Sequence, residues 1–488
     1  MSRRTGYVIA VDQGTGSTKA IALDHAGDVV AHESVPTGQT FPQPGWAEQD
    51  PHEIIDSVRT ALSRLCTRLD QPVAAVGVSS QRESVLLWDS RTGQPVSPLI
   101  SWQDRRTAEL AARLKVHDRA VRDTSGLPIS PMFSALKLNW LVGAADGTAD
   151  VTAGTVDAWI LACLTGERRI EQGNASRTQL LELSNARWSP ALLDIFDIPV
   201  SVLPDVVPSN LPSSPIRGID GLEGVRITGV LADSHAAFYA HGAFMQPSVK
   251  VTYGTGSSVL GIGDGRSTPA PAGLVSTIAW AAPETVYAFE GNVLSTGSTL
   301  TWLARLLRLT PDELAMAASQ APSHCGVDLV PAFAGLGAPW WDEGAAGVIT
   351  GLTFDTDTDV IARAALESIV LQVEDVLAAA DLPGDAPILA DGGPTGNPFL
   401  MQLQADFSQR TVHRADTAEL SAVGAAHLAG LTAGFWTDDE LAGLPRPRTV
   451  FTPAMDTGEA GTRREQWHAA VAMSRLHPAA STTAKEHP

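Results

Sequence analysis

"YVIAVDQGTGSTKAIALD", residues 7–24, decides how the rest of the chain is read. An apolar run meets one acidic residue, Asp12, then a glycine-rich turn, then a second apolar run. The stretch looks like a phosphate-binding loop but matches neither common pattern. A Walker loop requires Gly-Lys-Ser/Thr, and a dinucleotide loop requires a third glycine where Lys19 stands. Both lead into a helix, whereas "KAIALD" reads as a strand, so the expected unit is a β-hairpin. By itself it is either a plain hairpin with glycine at positive φ and a solvated Asp12, or a cradle of backbone N–H groups for an anion.

The pattern returns in "VKVTYGTGSSVLGIGDG", residues 249–265, about half the chain away. A repeated strand–turn–strand predicts a duplication. After the first copy, "DVVAHES" reads as a third strand and "DPHEIIDSVRTALSRLCTRLD" as a helix. Asp50 is its N-cap, Pro51 opens its first turn and Glu53 completes a capping box. Ile54, Val58, Leu62, Leu65 and Leu69 recur at helical spacing, and strand "VAAVGVSS" follows. After the second copy come strands "LVSTIAWAA" and "TVYAFEG", helices "TGSTLTWLARLLR" and "TDVIARAALESIVLQVEDVLAAA", and strand "APILADGG". Antiparallel strands followed by alternating helix and strand, twice over, describe two mixed α/β lobes. The expected division is a first lobe at 1–246, a second at 247–476 and a disordered tail at 477–488. Within the first lobe, "PVSVLPDVVPSNLPSSP" (199–215) reads as a surface loop. Facing hairpins imply a cleft between lobes, a favoured place for ligands.

Composition limits what that cleft can serve. A formal net charge of −20 argues against nucleic acid or an anionic membrane as partner, since both are held by basic surface. An anionic ligand must then be held locally by backbone N–H groups, a metal ion or a lysine, because salt screens the wider field beyond roughly 8 Å. Cys66, Cys163 and Cys325 are scattered and odd in number, which favours a reducing compartment over a disulfide or zinc framework. "MSRRT" is followed by too short an apolar run for an export signal, and no stretch reaches the ~18 apolar residues of a span. A cytoplasmic protein is expected.

Further motifs fall in a recognisable order: "QPGWAEQDPHEI", "SSQRES", "SWQDRRTAE", "GNASRTQLLEL", "VPAFAGLGAPWWD", "GVITGLTF", "ALESIVLQVEDVL", "DGGPTGNPFLMQLQAD" and "GAAHLAGLTAGFW". With the two hairpins they resemble the FGGY carbohydrate kinases, glycerol kinase most closely, over nearly the whole chain. Val360 departs, standing where that family usually has a polar residue. The resemblance implies an α/β fold of two ribonuclease-H-like lobes, of the actin and sugar-kinase ATPase type, closing on a nucleotide in a central interlobe cleft. It implies ATP and Mg²⁺ as cofactors, with Asp12 holding the hydrated metal ion. Thr15, Gly16, Ser17 and Lys19 would meet the phosphates from one lobe, and Gly254 and Thr255, with Gly256, from the other. Gly297 and Thr301 would flank the nucleotide, and Gly392, Gly393 and Asn397 would contact adenosine.

The same resemblance makes Asp233, in "GVLADSHAAF", the catalytic base; alone, it reads equally as a helix cap. Phosphoryl transfer needs an aligned acceptor oxygen and a carboxylate to take its proton. Arg82 and Glu83 would hold adjacent hydroxyls of a small polyol or sugar, and Trp102 would pack its carbon face. Without the family they read as a surface ion pair and a core tryptophan. Three acceptor-side positions depart from glycerol kinase: Met132 replaces tyrosine, Ser234 replaces glutamine and Ser258 replaces an aromatic residue. These substitutions open space, so the expected acceptor is a primary hydroxyl of glycerol or of a four- to five-carbon polyol or ketose. "SSPIRGIDGLEGVRITG" lacks the loop with which some glycerol kinases bind a sugar bisphosphate, so that feedback is not expected. His235 has no partner at metal-ligand spacing and reads as part of the helix start. By resemblance, a homodimer or homotetramer is the expected assembly. Two other readings of the fold stay open: another phosphotransferase, acting on acyl phosphate or polyphosphate, and a nucleotide-gated binding module with no acceptor.

Overall fold

The computed structural model describes residues 5–145, 150–262, 270–322, 326–380 and 382–476. Cys325, the end of the second hairpin (263–265) and the tail 477–488 lie outside the described residues. Five strands form the first sheet: β1 (Tyr7–Gln13), β2 (Ser17–Leu23), β3 (Val29–Pro36), β4 (Val73–Ser80) and β5 (Ile227–Ala232). Their order is β5-β4-β1-β2-β3. β1–β2 and β2–β3 pair antiparallel, while β1–β4 and β4–β5 pair parallel.

The second sheet repeats this plan with β6 (Ser248–Tyr253), β7 (Ser257–Ile262), β9 (Thr285–Val293), β10 (Ile388–Asp391) and β11 (Val412–Ala415). β8 (Val275–Ala281) and β12 (Arg448–Phe451) extend its edges, giving β8-β9-β7-β6-β10-β11-β12. β6–β7 and β7–β9 are antiparallel, β6–β10 and β10–β11 parallel. Each glycine hairpin therefore leads a five-strand unit of one order and one set of directions. The chain has the doubled α/β architecture that the repeat in the sequence implies.

β1 is buried on both faces, which is why "VIAV" is continuously apolar rather than alternating. Ile9, Val11, Ala20 and Ala22 pack against helices Pro51–Cys66 and Val156–Thr165. Val8, Ala10, Ile21 and Leu23 face a cluster that includes Leu260, Ile262, Trp280 and Leu389 of the second sheet. Helix Leu420–Thr432, near the end of the chain, packs on β4 and β5 of the first sheet and on helix Asp233–Ala240. The approach is very close: a Cβ on Gly424 would stand 1.8 Å from the Ala236 carbonyl oxygen, so only glycine fits there.

Two local expectations need correction. Asp50 caps its helix, accepting from the His52 N–H at 2.8 Å. Glu53 does not complete a capping box, because its carboxylate accepts from the Gly38 N–H at 2.9 Å instead. The stretch 199–215 is not wholly loop: Asp205–Val207 pairs in parallel with Arg169–Glu171. Among the described residues no helix is long and apolar enough to cross a membrane.

Candidate active site

Register brings the acidic residues together. In the first sheet Asp12 lies beside Ser79, and Gln13 and Ala232 both lie beside Ser80. The parallel strands β1, β4 and β5 therefore end side by side, and the residues at or just beyond their ends share one rim: Asp12, Arg82 with Glu83, and Asp233. Carboxyl ends of parallel strands are where α/β sheets place ligands.

Asp12 accepts from Ser79 Oγ at 2.7 Å. Burial, and then the Asp233 carboxylate, push its pKa up to about 6, against the hydrogen bond from Ser79 and the Lys19 charge. Asp233 opens helix Asp233–Ala240, and its Oδ1 accepts from the Ser234 N–H at 2.5 Å. About a third of its side chain stays open, at 36%. Its pKa is also raised, by burial first; Arg82 pulls it down and Glu83 pushes it up. Two neighbouring carboxylates that both resist ionising make a rim that a divalent cation would relieve, so the donor set fits Mg²⁺.

Arg82 does not stand free as an acceptor clamp. Its Nη1 and Nη2 donate to Glu290 Oε2 and Oε1 at 2.8 and 3.0 Å, and its Nε lies 3.6 Å from Asp233 Oδ1. Arg177 bridges Glu83 and Glu290, with Nε 2.6 Å from Glu83 Oε1 and Nη1 2.9 Å from Glu290 Oε2. Burial would raise the Glu290 pKa, but Arg177 and Arg82 hold its carboxyl well below the usual range. Glu83 itself has φ +63°, a left-handed conformation unfavourable for a side chain by about 1–2 kcal/mol. Arg177 and the Ser134 hydroxyl, which donates to the Glu83 carbonyl at 3.1 Å, hold it there.

Trp102 is exposed at the rim, and its Nε1 donates to Thr15 Oγ1 at 3.1 Å, so acceptor side and phosphate hairpin touch. Ser258 Oγ donates to Glu290 Oε1 at 3.3 Å. Met132 packs with Leu127, Phe133 and Val275, and the buried Lys137 ammonium donates to its carbonyl. Ser234 contributes its N–H to Asp233. His235 is fully buried, which drives its pKa well down and keeps it neutral.

Both hairpin turns are held by their carbonyls. Thr15 O accepts from Gln49 Nε2 at 2.9 Å and Gly16 O from Thr37 N at 3.1 Å. In the second lobe Gly254 O accepts from Gly297 N, and Thr255 O from Thr296 N and Ser298 N. A trans peptide points its N–H opposite its C=O, so the N–H groups of residues 16–17 and 255–256 turn away from these supports. Neither Gly14 nor Gly16 has positive φ, and a Cβ on Gly16 would meet nothing within 4 Å. The turn does not need glycine for its backbone; what glycine leaves is open space beside those N–H groups.

Lys19 is engaged, 2.8 Å from Glu419 Oε2, instead of projecting freely from the turn. A cleft of about 1010 Å³ runs along the second lobe, lined by Gly254, Thr255, Gly297, Thr301, Gly393 and Asn397, together with Trp302 and Arg305. Its size suits a nucleotide. Gly392 shapes the turn rather than the wall: its φ is +97°, and a Cβ there would lie 2.0 Å from Tyr253 O. Asn397 Oδ1 caps helix Pro398–Ser408 through Phe399 N and Leu400 N. Thr15, Gly16, Ser17 and Lys19 belong to the opposite hairpin and do not line this cleft.

Sequence reasoning missed Glu290, Arg177, Ser79 and Glu419. Glu290 had a signal, a charged residue inside the apolar strand "TVYAFEG"; the others had none that separates them from ordinary polar residues.

Paired α/β lobes, each led by a carbonyl-anchored glycine hairpin, with carboxylates gathered at the strand ends, define a phosphotransferase on the actin-like ATPase fold. The profile of the FGGY family of carbohydrate kinases matches through its N-terminal domain at residues 7–237 and its C-terminal domain at 249–433. The apulose kinase of Pectobacterium atrosepticum is 40% identical, covering 98% of this chain and 100% of that one. The glycerol kinase of Limosilactobacillus reuteri is 38% identical, covering 96% and 98%. The crystal structure of Plasmodium falciparum glycerol kinase with ADP superposes with a TM-score of 0.90 at 28% identity, covering 96% and 98%. The chain belongs to the FGGY family of carbohydrate kinases. It is an ATP-dependent kinase that phosphorylates an alcohol group of a carbohydrate or polyol.

Proposed function

We propose that the acceptor is an uncharged polyol or ketose of four to five carbons, phosphorylated on a primary hydroxyl with Asp233 as base. Asp233 takes the hydroxyl proton as the acceptor oxygen bonds to the γ-phosphorus and the bond to the ADP oxygen breaks. Glu83 and Arg82 orient vicinal hydroxyls, and Trp102 covers the carbon face. Met132, Ser234 and Ser258 leave room beyond a three-carbon chain. The N–H groups of residues 16–17 and 255–256 receive the phosphates, and the cleft along Gly297, Gly393 and Asn397 receives the nucleoside. Asp12 holds Mg²⁺, which supplies neutralisation of phosphate charge when bound.

One observation carries the choice of an uncharged acceptor. Arg82 and Arg177, the cations beside Asp233 and Glu83, are both committed to glutamates. Neither is left over to balance an acceptor carboxylate, which would also face Asp233 and Asp12. The test is ADP release with MgATP over glycerol, erythritol, ribitol, xylitol, ribulose, xylulose and gluconate. The highest kcat/KM is expected with a neutral four- or five-carbon acceptor. Preference for glycerol or gluconate refutes the acceptor reading, and ADP release independent of any acceptor refutes the site.

A further inference from the structure

We infer that Glu290, supplied by the second lobe, is a positioning residue that sets the acceptor clamp of the first. The inference rests on the reading of Arg82 and Asp233 given above. Glu290 sits in β9 with none of its surface exposed and receives both Nη atoms of Arg82 and one of Arg177. Arg177 in turn holds Glu83. The four side chains alternate in sign around a closed ring, since Arg82 Nε is also 3.8 Å from Glu83 Oε1. Asp233 is attached to that ring only through Arg82 Nε, at 3.6 Å.

The planar guanidinium makes this arrangement directional. With its fork on Glu290, Arg82 presents its Nε edge to Asp233 and the acceptor space. Without the Glu290 carboxylate the fork can turn onto Asp233, the nearest remaining acceptor, and occupy the oxygen that must receive the hydroxyl proton. Arg177 would then be balanced by Glu83 alone, pulling at a residue already in a left-handed conformation. Ser258 joins the same carboxylate, so a position that differs from glycerol kinase is wired to the clamp. The nucleotide cleft lies apart: Glu290 is not among its lining residues.

The experiment compares Glu290→Gln, Glu290→Asp and a charge-balanced double variant, Glu290→Gln with Arg177→Met, which removes one buried charge of each sign. For the Gln and double variants, acceptor KM should rise and kcat fall so that kcat/KM drops about tenfold or more, as for a lost charged hydrogen bond. The Asp variant should retain intermediate activity, and ADP Kd by calorimetry should stay within about twofold because the sites share no contacts. Acceptor kinetics within about threefold of wild type in an ADP-binding variant overturn the inference, being smaller than one such bond would give. Parallel loss of ADP affinity in the Gln and double variants also overturns it, by assigning Glu290 to general lobe packing. Asp233→Asn is run alongside: normal turnover there defeats the underlying site reading, whereas an inactive Asp233→Asn with wild-type-like Glu290 variants defeats this inference alone.

Discussion

Replacing Asp233 by asparagine keeps the shape of the side chain and removes its charge and its ability to take a proton. The amide oxygen can still accept from the Ser234 N–H, so the start of helix Asp233–Ala240 keeps its cap. Arg82 remains bound through two hydrogen bonds to Glu290, so it is not stranded by the loss of a 3.6 Å contact with a side chain that is 36% exposed. The stability cost should stay below about 1 kcal/mol, as for other exposed ion pairs. A positioned base contributes about 10²–10⁴ in rate, equivalent to about 3–5 kcal/mol of barrier. Coupled ADP-release kinetics at saturating MgATP and acceptor should therefore show kcat reduced by that factor, while calorimetry gives unchanged ADP affinity. A kcat within about tenfold of wild type, below the smallest effect expected of a base, refutes the assignment.

Other perturbations follow from the same geometry. Ser258→Phe refills the position where glycerol kinase has an aromatic residue, so kcat/KM for five-carbon acceptors should fall about 10–200-fold relative to glycerol; an unchanged ratio removes Ser258 from the pocket. Gly424→Ala places a methyl against the Ala236 carbonyl and should destabilise by about 1–3 kcal/mol despite the better helix propensity of alanine, read as a lowered Tm. Lys137 is buried, and desolvation lowers its pKa from 10.5 to about 7. Between those values the unfolded chain binds the extra proton, so this group makes stability rise with pH across that window. Lys137→Met should remove that slope from thermal unfolding measured from pH 7 to pH 10; an unaltered slope refutes it.

Local chemistry was legible in the order of residues. Continuous apolar runs around a glycine turn were enough for two leading hairpins, because strand burial and turn geometry act over a few neighbouring residues. The cap at Asp50 and the glycines of residues 254, 297 and 393 were readable for the same reason. Glu53 shows the limit: the capping pattern was present, but the Gly38 N–H, delivered by a distant loop, took its carboxylate.

Residue order alone yields a duplicated α/β chain with two glycine-turn hairpins and a set of family positions for an acceptor and a base. How those positions are wired to one another follows only from packing in three dimensions. Glu290 and Arg82 are 208 residues apart and meet only because two lobes dock. Lys19 is claimed by Glu419 and helix Leu420–Thr432 crosses to the first sheet for the same reason. Turn and strand preferences are carried by adjacent residues, whereas the partner of a buried charge depends on which side chains packing brings within hydrogen-bond reach.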